Sequence, residues 1–121
     1  MANCYDKMED YIASMFNIFK MVHQKSRIKN DQRLNMISLV IFNYTKYMAG
    51  EYNVNLLDIQ ETESVNLIPV FEYISKNNIE LLDFSNIVIN DIDITKKEDL
   101  ERFVLSHVYY ITQTSFTPFN I

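Results

Sequence analysis

Apolar residues recur along the first part of the chain at steps of three and four: Tyr5, Met8, Ile12, Met15, Phe16, Phe19 and Val22. That spacing puts them on one stripe of an amphipathic helix, predicted over about residues 6–24. Asn3 reads as its N-cap, with Asp6 and Glu9 in the first turn beside the positive end of the helix dipole. A polar, basic loop is expected next. A second helix, over about 31–49, carries Leu34, Ile37, Val40, Ile41, Tyr44, Tyr47 and Met48 at helical spacing, with Leu39 and Phe42 beside them. So wide an apolar arc predicts a central helix. Gly50 then stands where a left-handed residue would end it.

Residues 51–63 read as a loop anchored by Val54, Leu56, Leu57 and Ile59. A third helix is predicted over about 66–77, starting near 64–66, with Leu67, Val70, Phe71 and Ile74 inward. Pro69 is harmless in its first turn, where the missing N–H has no partner, and Asn77-Asn78 closes it. Residues 79–94 read two ways, as a short strand at 87–89 or a short helix over 81–87. The helix is preferred because such a strand has no second β-rich run to pair with. Thr95 and Glu98 have the spacing of a capping box. From it a last helix runs to about residue 112, with Leu100, Phe103, Val104, His107, Val108 and Ile111 on one side. The expectation is an all-α fold: one globular domain over 1–121, with four long helices plus one or more short ones. Its core lies within about 5–113, and the 114–121 tail could lead into a coiled coil of a longer parent.

Composition sharpens this. The 121 residues hold one Gly and two Pro, against 48% hydrophobic residues. The apolar share supports a real core and excludes a disordered linker. The lack of Gly argues against phosphate-cradling loops and tight hairpins, which need positive φ or a bare backbone. The net charge is −5 and the pI about 4.9, which argues against nucleic acid as a partner. Within that acidic chain, Lys20, Lys25, Arg27, Lys29 and Arg33 fall in one stretch whose sole acid is Asp31. A local basic spot of this kind suits an acidic protein surface. The longest apolar run, 37–42, is too short to span a bilayer. The first residues do not resemble a secretory signal, so no membrane role and a cytoplasmic location are expected.

Candidate chemistry is sparse. Cys4 excludes an internal disulfide framework, and acids around it disfavour a reactive thiolate. His23 reads as a residue near a helix C-terminus, and His107 as a hydrogen-bonded, half-buried one. Asp91, Asp93, Glu98 and Asp99 invite comparison with a calcium loop, but Lys96 stands where its Gly is needed and Arg102 where its Glu is needed. No enzyme, no cofactor and no metal are therefore expected.

The order of helices resembles the calponin-homology superfamily, in particular its Hook-type branch. The residues that carry the likeness are 11–19 for the first helix and 30–40 with 47–51 for the second. They continue with 65–75 for the next long helix and 98–108 for the last. No Trp stands at the family's usual sites, and Leu34-Asn35 stands where actin-binding members often carry Asp-Gly. The resemblance implies a non-enzymatic cytoskeletal adaptor domain, linked to microtubules, dynein or the centrosome. Its implied sites are Lys25, Arg27 and Lys29 for an acidic surface such as tubulin tails. The last-helix surface around Val104, Val108 and Tyr109 would serve an amphipathic helix. A regulatory bundle of viral or parasite origin, Bcl-2-like or death-domain-like and gripping a host helix, is the alternative. Self-association through exposed Tyr and Phe residues is a third reading.

Overall fold

The computed structural model describes residues 2–62, 64–82, 93, 95–114 and 119–120, with side chains from Met8 to Gln113 within those ranges. Four α-helices account for most of them: α1 (Ala2–Lys29), α2 (Gln32–Glu51), α3 (Ile68–Lys76) and α4 (Lys97–Thr114). A 3-10 turn, Leu56–Asp58, interrupts the α2–α3 connection. Strands β1 (Val65–Asn66) and β2 (Phe119–Asn120) form a two-residue parallel pair, with Val65 opposite Phe119. The all-α character expected from periodicity is present. No described helix is long and apolar enough to cross a membrane.

The helix α1 is longer than its apolar stripe suggested. It begins at Ala2, so Asn3 lies inside the first turn and no acid falls in that turn. At the other end it runs through Lys25, Arg27 and Lys29, and the expected basic loop is helical instead. The chain reverses in two residues. Asn30 takes φ 51°; its N–H donates to Arg27 O at 3.3 Å and that of Asp31 to Ser26 O at 2.9 Å. This is the reciprocal closure of a Schellman motif. Asp31 also caps α2, accepting from the N–H groups of Arg33 and Leu34. A short, doubly used turn of this kind forces α1 and α2 into an antiparallel hairpin.

The hairpin buries Tyr11, Ile12, Met15, Ile18 and Val22 of α1 against Ile41, Tyr44, Met48 and Ala49 of α2 and the rest of the core. Tyr11 and Ile18 were off the predicted stripe. They are buried because α1 also contacts α3 and β1, so two of its faces are covered. The buried hydroxyls of Ser26, Ser38 and Thr45 bond to carbonyls three or four residues back, so each is satisfied within its own helix. On α2 the arc is less internal than predicted, with Leu39 and Tyr47 exposed. Gly50 is helical with no positive φ; α2 ends at Glu51, with Tyr52 as its C-cap, followed by Asn53 at φ 56°. The expected glycine stop is thus an asparagine stop.

In the following loop Val54, Leu56 and Ile59 pack on the core, while Leu57 is 92% exposed. Ser14 and Asn17 of α1 hold the segment beyond it. Ser14 Oγ donates to Asn66 O at 2.8 Å, and Asn17 bonds with Gln60 and Thr62. This tether shapes residues 65–66 as a strand, so α3 starts only at Ile68, with Pro69 in its first turn. Leu67 and Val70 are buried, and Asn78 at φ 52° closes the helix as expected.

Residues 79–82 are not helical, which removes the start of the predicted 81–87 helix. They run beside α4, with Leu82 N–H donating to Ser106 Oγ and Arg102 Nε to Glu80 O. The 83–92 portion, including the alternative strand at 87–89, lies outside the described residues. The helix α4 starts where predicted, without the capping box. The Thr95 hydroxyl donates to Asp93 Oδ1 at 2.5 Å, and the Asp93 N–H to Asp99 Oδ2 at 3.2 Å. Asp93 has taken the hydroxyl that Glu98 was to work with. Buried Val104, Leu105, Val108 and Ile111 complete the core.

Candidate functional site

The most organised polar group among the described residues is internal. Tyr11 of α1, Tyr44 of α2 and Tyr73 of α3 converge on Glu101 of α4. Tyr44 O–H donates to Glu101 Oε2 at 2.5 Å and Tyr73 O–H to the same oxygen at 2.8 Å. Tyr44 has only one hydroxyl proton, so the 2.8 Å contact between Tyr11 and Tyr44 has Tyr11 as donor. The Tyr11 and Tyr73 rings stack at 4.0 Å. Each helix contributes one member.

Burial pushes the Tyr11, Tyr44 and Tyr73 phenols well above their ordinary range, and the nearby Glu101 carboxylate reinforces the shift. Phenols held this firmly in the neutral form are donors, not nucleophiles. The cluster is therefore a brace. It is absent from the sequence expectations; the signals that point to its members singly are Tyr11 at helical spacing before Met15, Ile18 and Val22, and Glu101 in line with Leu105 and Val108. A carboxylate on an otherwise apolar face implies buried donors opposite it.

The surface candidates fare differently. Val104 and Val108 are 1% and 0% exposed, so they belong to the core and present nothing to a docking helix. An apolar stripe was read as a surface when it is the packing face. Tyr109 is 43% exposed, with its ring edge-on to Phe71 at 6.1 Å. Lys25, Arg27 and Lys29 share the last turns of α1 but not one face. At about 100° per residue, Lys25 and Lys29 stand roughly 160° around the helix from Arg27. Arg27 instead lines up with Phe16, Phe19, Lys20 and His23.

That second line builds an aromatic and basic face. The Phe19 ring lies 6.0 Å from Phe16, 4.7 Å from Phe42 on α2 and 5.7 Å from His23. Lys20 Nζ sits 4.9 Å from the Phe16 ring centre and Lys46 Nζ 5.6 Å from that of Phe42. Cations in such positions are held partly by the ring quadrupole. A groove of about 610 Å³ runs beside them, lined by Phe19, Lys20, His23, Gln24, Arg27, Ile28 and Glu61. Glu61 pairs with Lys20 at its edge. His23 lies inside α1 and contacts Ser38 Oγ at 3.4 Å, so it serves helix packing and not a helix end. His107 is half-buried as expected; its Nδ1 meets Phe103 O at 2.8 Å, and burial lowers its pKa.

Among the described residues no three His, Cys, Asp or Glu side chains gather to hold a metal ion. Cys4 has its side chain outside the described residues. Comparison of the chain with family models, curated proteins and solved structures finds no match.

Proposed function

We propose that the chain is a non-enzymatic protein-interaction domain that takes an acidic partner on the aromatic and basic face shared by α1 and α2. The observation that carries the reading is the Phe16–Phe19–Phe42 ring cluster bordered by Lys20, Lys46 and Arg27. The partly exposed Phe19 and Phe42 rings, backed by the buried Phe16, supply apolar area, and cations beside them select for carboxylates; together they suit a partner surface with acidic and apolar groups interspersed. Glu61 already presents one carboxylate to Lys20. The resemblance to Hook-type calponin-homology domains supplies the candidate partner, the acidic tails of tubulin, and a role as a cytoskeletal adaptor.

The test is co-sedimentation with microtubules whose acidic tails are intact or proteolytically removed. Arg27→Glu with Lys46→Glu should abolish sedimentation at unchanged helicity, and so should removal of the tails. Lys25→Glu with Lys29→Glu, on the far side of α1, should weaken it by no more than about threefold through long-range charge alone. Undiminished binding by the Arg27/Lys46 pair would overturn the assigned face, and absence of binding by the unaltered protein would overturn the microtubule reading.

A further inference from the structure

A larger cleft, about 910 Å³, opens at the other end of α1, between its N-terminal half and α3. Its size is that of small-molecule sites. Tyr52 and Tyr73, both partly exposed, contribute rings to its walls, with buried Tyr11 stacked behind Tyr73 and Met8 and Ile68 adding apolar surface. Two carboxylates, Asp10 and Glu72, stand against one ammonium, Lys76. From these groups we infer that the cleft binds a small organic cation, an alkylammonium or quaternary ammonium group on a short apolar body.

Three features favour that ligand class. Tyrosine rings present a negative face, and quaternary ammonium groups are held by such rings where water is partly excluded. The Tyr73 wall is built before any ligand arrives, because its ring stacks on Tyr11 at 4.0 Å and its hydroxyl is committed to Glu101 at 2.8 Å. A wall fixed in this way loses little entropy on binding. Finally, Asp10 and Glu72 are exposed side chains at the lining, so the net field there favours a cation over an anion despite Lys76. This site lies apart from the Phe19–Phe42 face and does not rest on the acidic-partner reading.

The experiment is an NMR titration of the full chain with choline chloride, against sodium chloride at equal ionic strength and against the neutral isostere 3,3-dimethylbutan-1-ol. Choline should give saturable shifts of the Tyr52 and Tyr73 ring signals, and the alcohol should not. Asp10→Asn with Glu72→Gln should weaken choline binding about tenfold, the effect of removing two nearby countercharges at a solvated site. Glu101→Gln, which keeps the shape but loosens the Tyr73 anchor, should weaken it to a smaller degree. Equal response to the alcohol, undiminished affinity in the Asp10/Glu72 variant, or no saturable shift with choline would each overturn the inference.

Discussion

A residue with a side chain at φ near +50° is strained by its Cβ, and asparagine is among the side-chain-bearing types that tolerate the conformation best. Asn30, Asn53 and Asn78 all adopt it, at φ 51°, 56° and 52°; Asn30 directly follows the last residue of α1, and Asn53 and Asn78 follow the C-caps of α2 and α3. Behind each, the next N–H reaches back five residues: Asp31 to Ser26, Val54 to Ala49 and Ile79 to Ile74. A chain with one Gly therefore ends three helices with asparagine, and the Gly itself is left inside α2. A Cβ at Gly50 would meet nothing within 4 Å, and its φ is not positive. Gly50→Ala should accordingly stabilise the protein by about 1 kcal/mol through helix propensity. Asn78→Ala should destabilise it by about 1 kcal/mol. Urea denaturation of both variants reads the signs directly. A loss on Gly50→Ala would mean that the position does need glycine's freedom.

At the scale of elements, Glu101 does for the helices what a shared turn does for α1 and α2. One carboxylate oxygen accepts from α2 and α3 at once, and Tyr11 of α1 joins through Tyr44. Hydrogen bonds to a charged acceptor contribute about 1.5–3 kcal/mol each, and removing the acceptor leaves buried donors unpaired. Glu101→Ala should thus cost about 3 kcal/mol, and Glu101→Gln less, since its amide oxygen still accepts. In a double-mutant cycle with Tyr73→Phe, the coupling energy should be about 1–2 kcal/mol by chemical denaturation. A coupling near zero would remove the brace.

The helices themselves were readable because a 3.6-residue period of apolar side chains survives any tertiary arrangement, which is why the stripes of α2, α3 and α4 fell close to their observed places. The convergence of Tyr11, Tyr44, Tyr73 and Glu101 was not readable, because periodicity says which residues face inward and nothing of which partner they meet. The same limit explains Val104 and Val108. An apolar stripe looks alike whether a neighbour in the same chain or another protein covers it.

Among the described residues charge is unevenly placed but mixed at both ends of α1: Asp31 caps the α1–α2 turn, Glu61 pairs with Lys20, and Lys76 lines the cleft of Asp10 and Glu72. Lys20, Arg27 and Arg33 lie toward the α1–α2 turn, while Asp10, Asp58 and Glu72 line clefts near the opposite end of α1. Neither set reaches the core, whose titratable members are the phenols. Tyr11 and Tyr44 are 1% and 0% exposed, and burial raises both above their ordinary value. A group with a raised folded pKa contributes stability fully below its unfolded pKa, near 10 for tyrosine, and loses it as pH climbs toward the folded value. Each phenol that ionises only on unfolding lowers stability by about 1.4 kcal/mol per pH unit above 10, so this pair sets a slope of about 2.7 kcal/mol per unit. Against a typical domain stability of about 5–15 kcal/mol, about two such units suffice at the lower end of that range and between five and six at the upper end. The transition should therefore begin above pH 10 and be cooperative. Tyr11 and Tyr44 should form tyrosinate only as helical circular dichroism is lost. If Tyr11 and Tyr44 ionise with helicity intact, the phenol chain is open to solvent and the four-helix brace around Glu101 is not the closed centre of the fold.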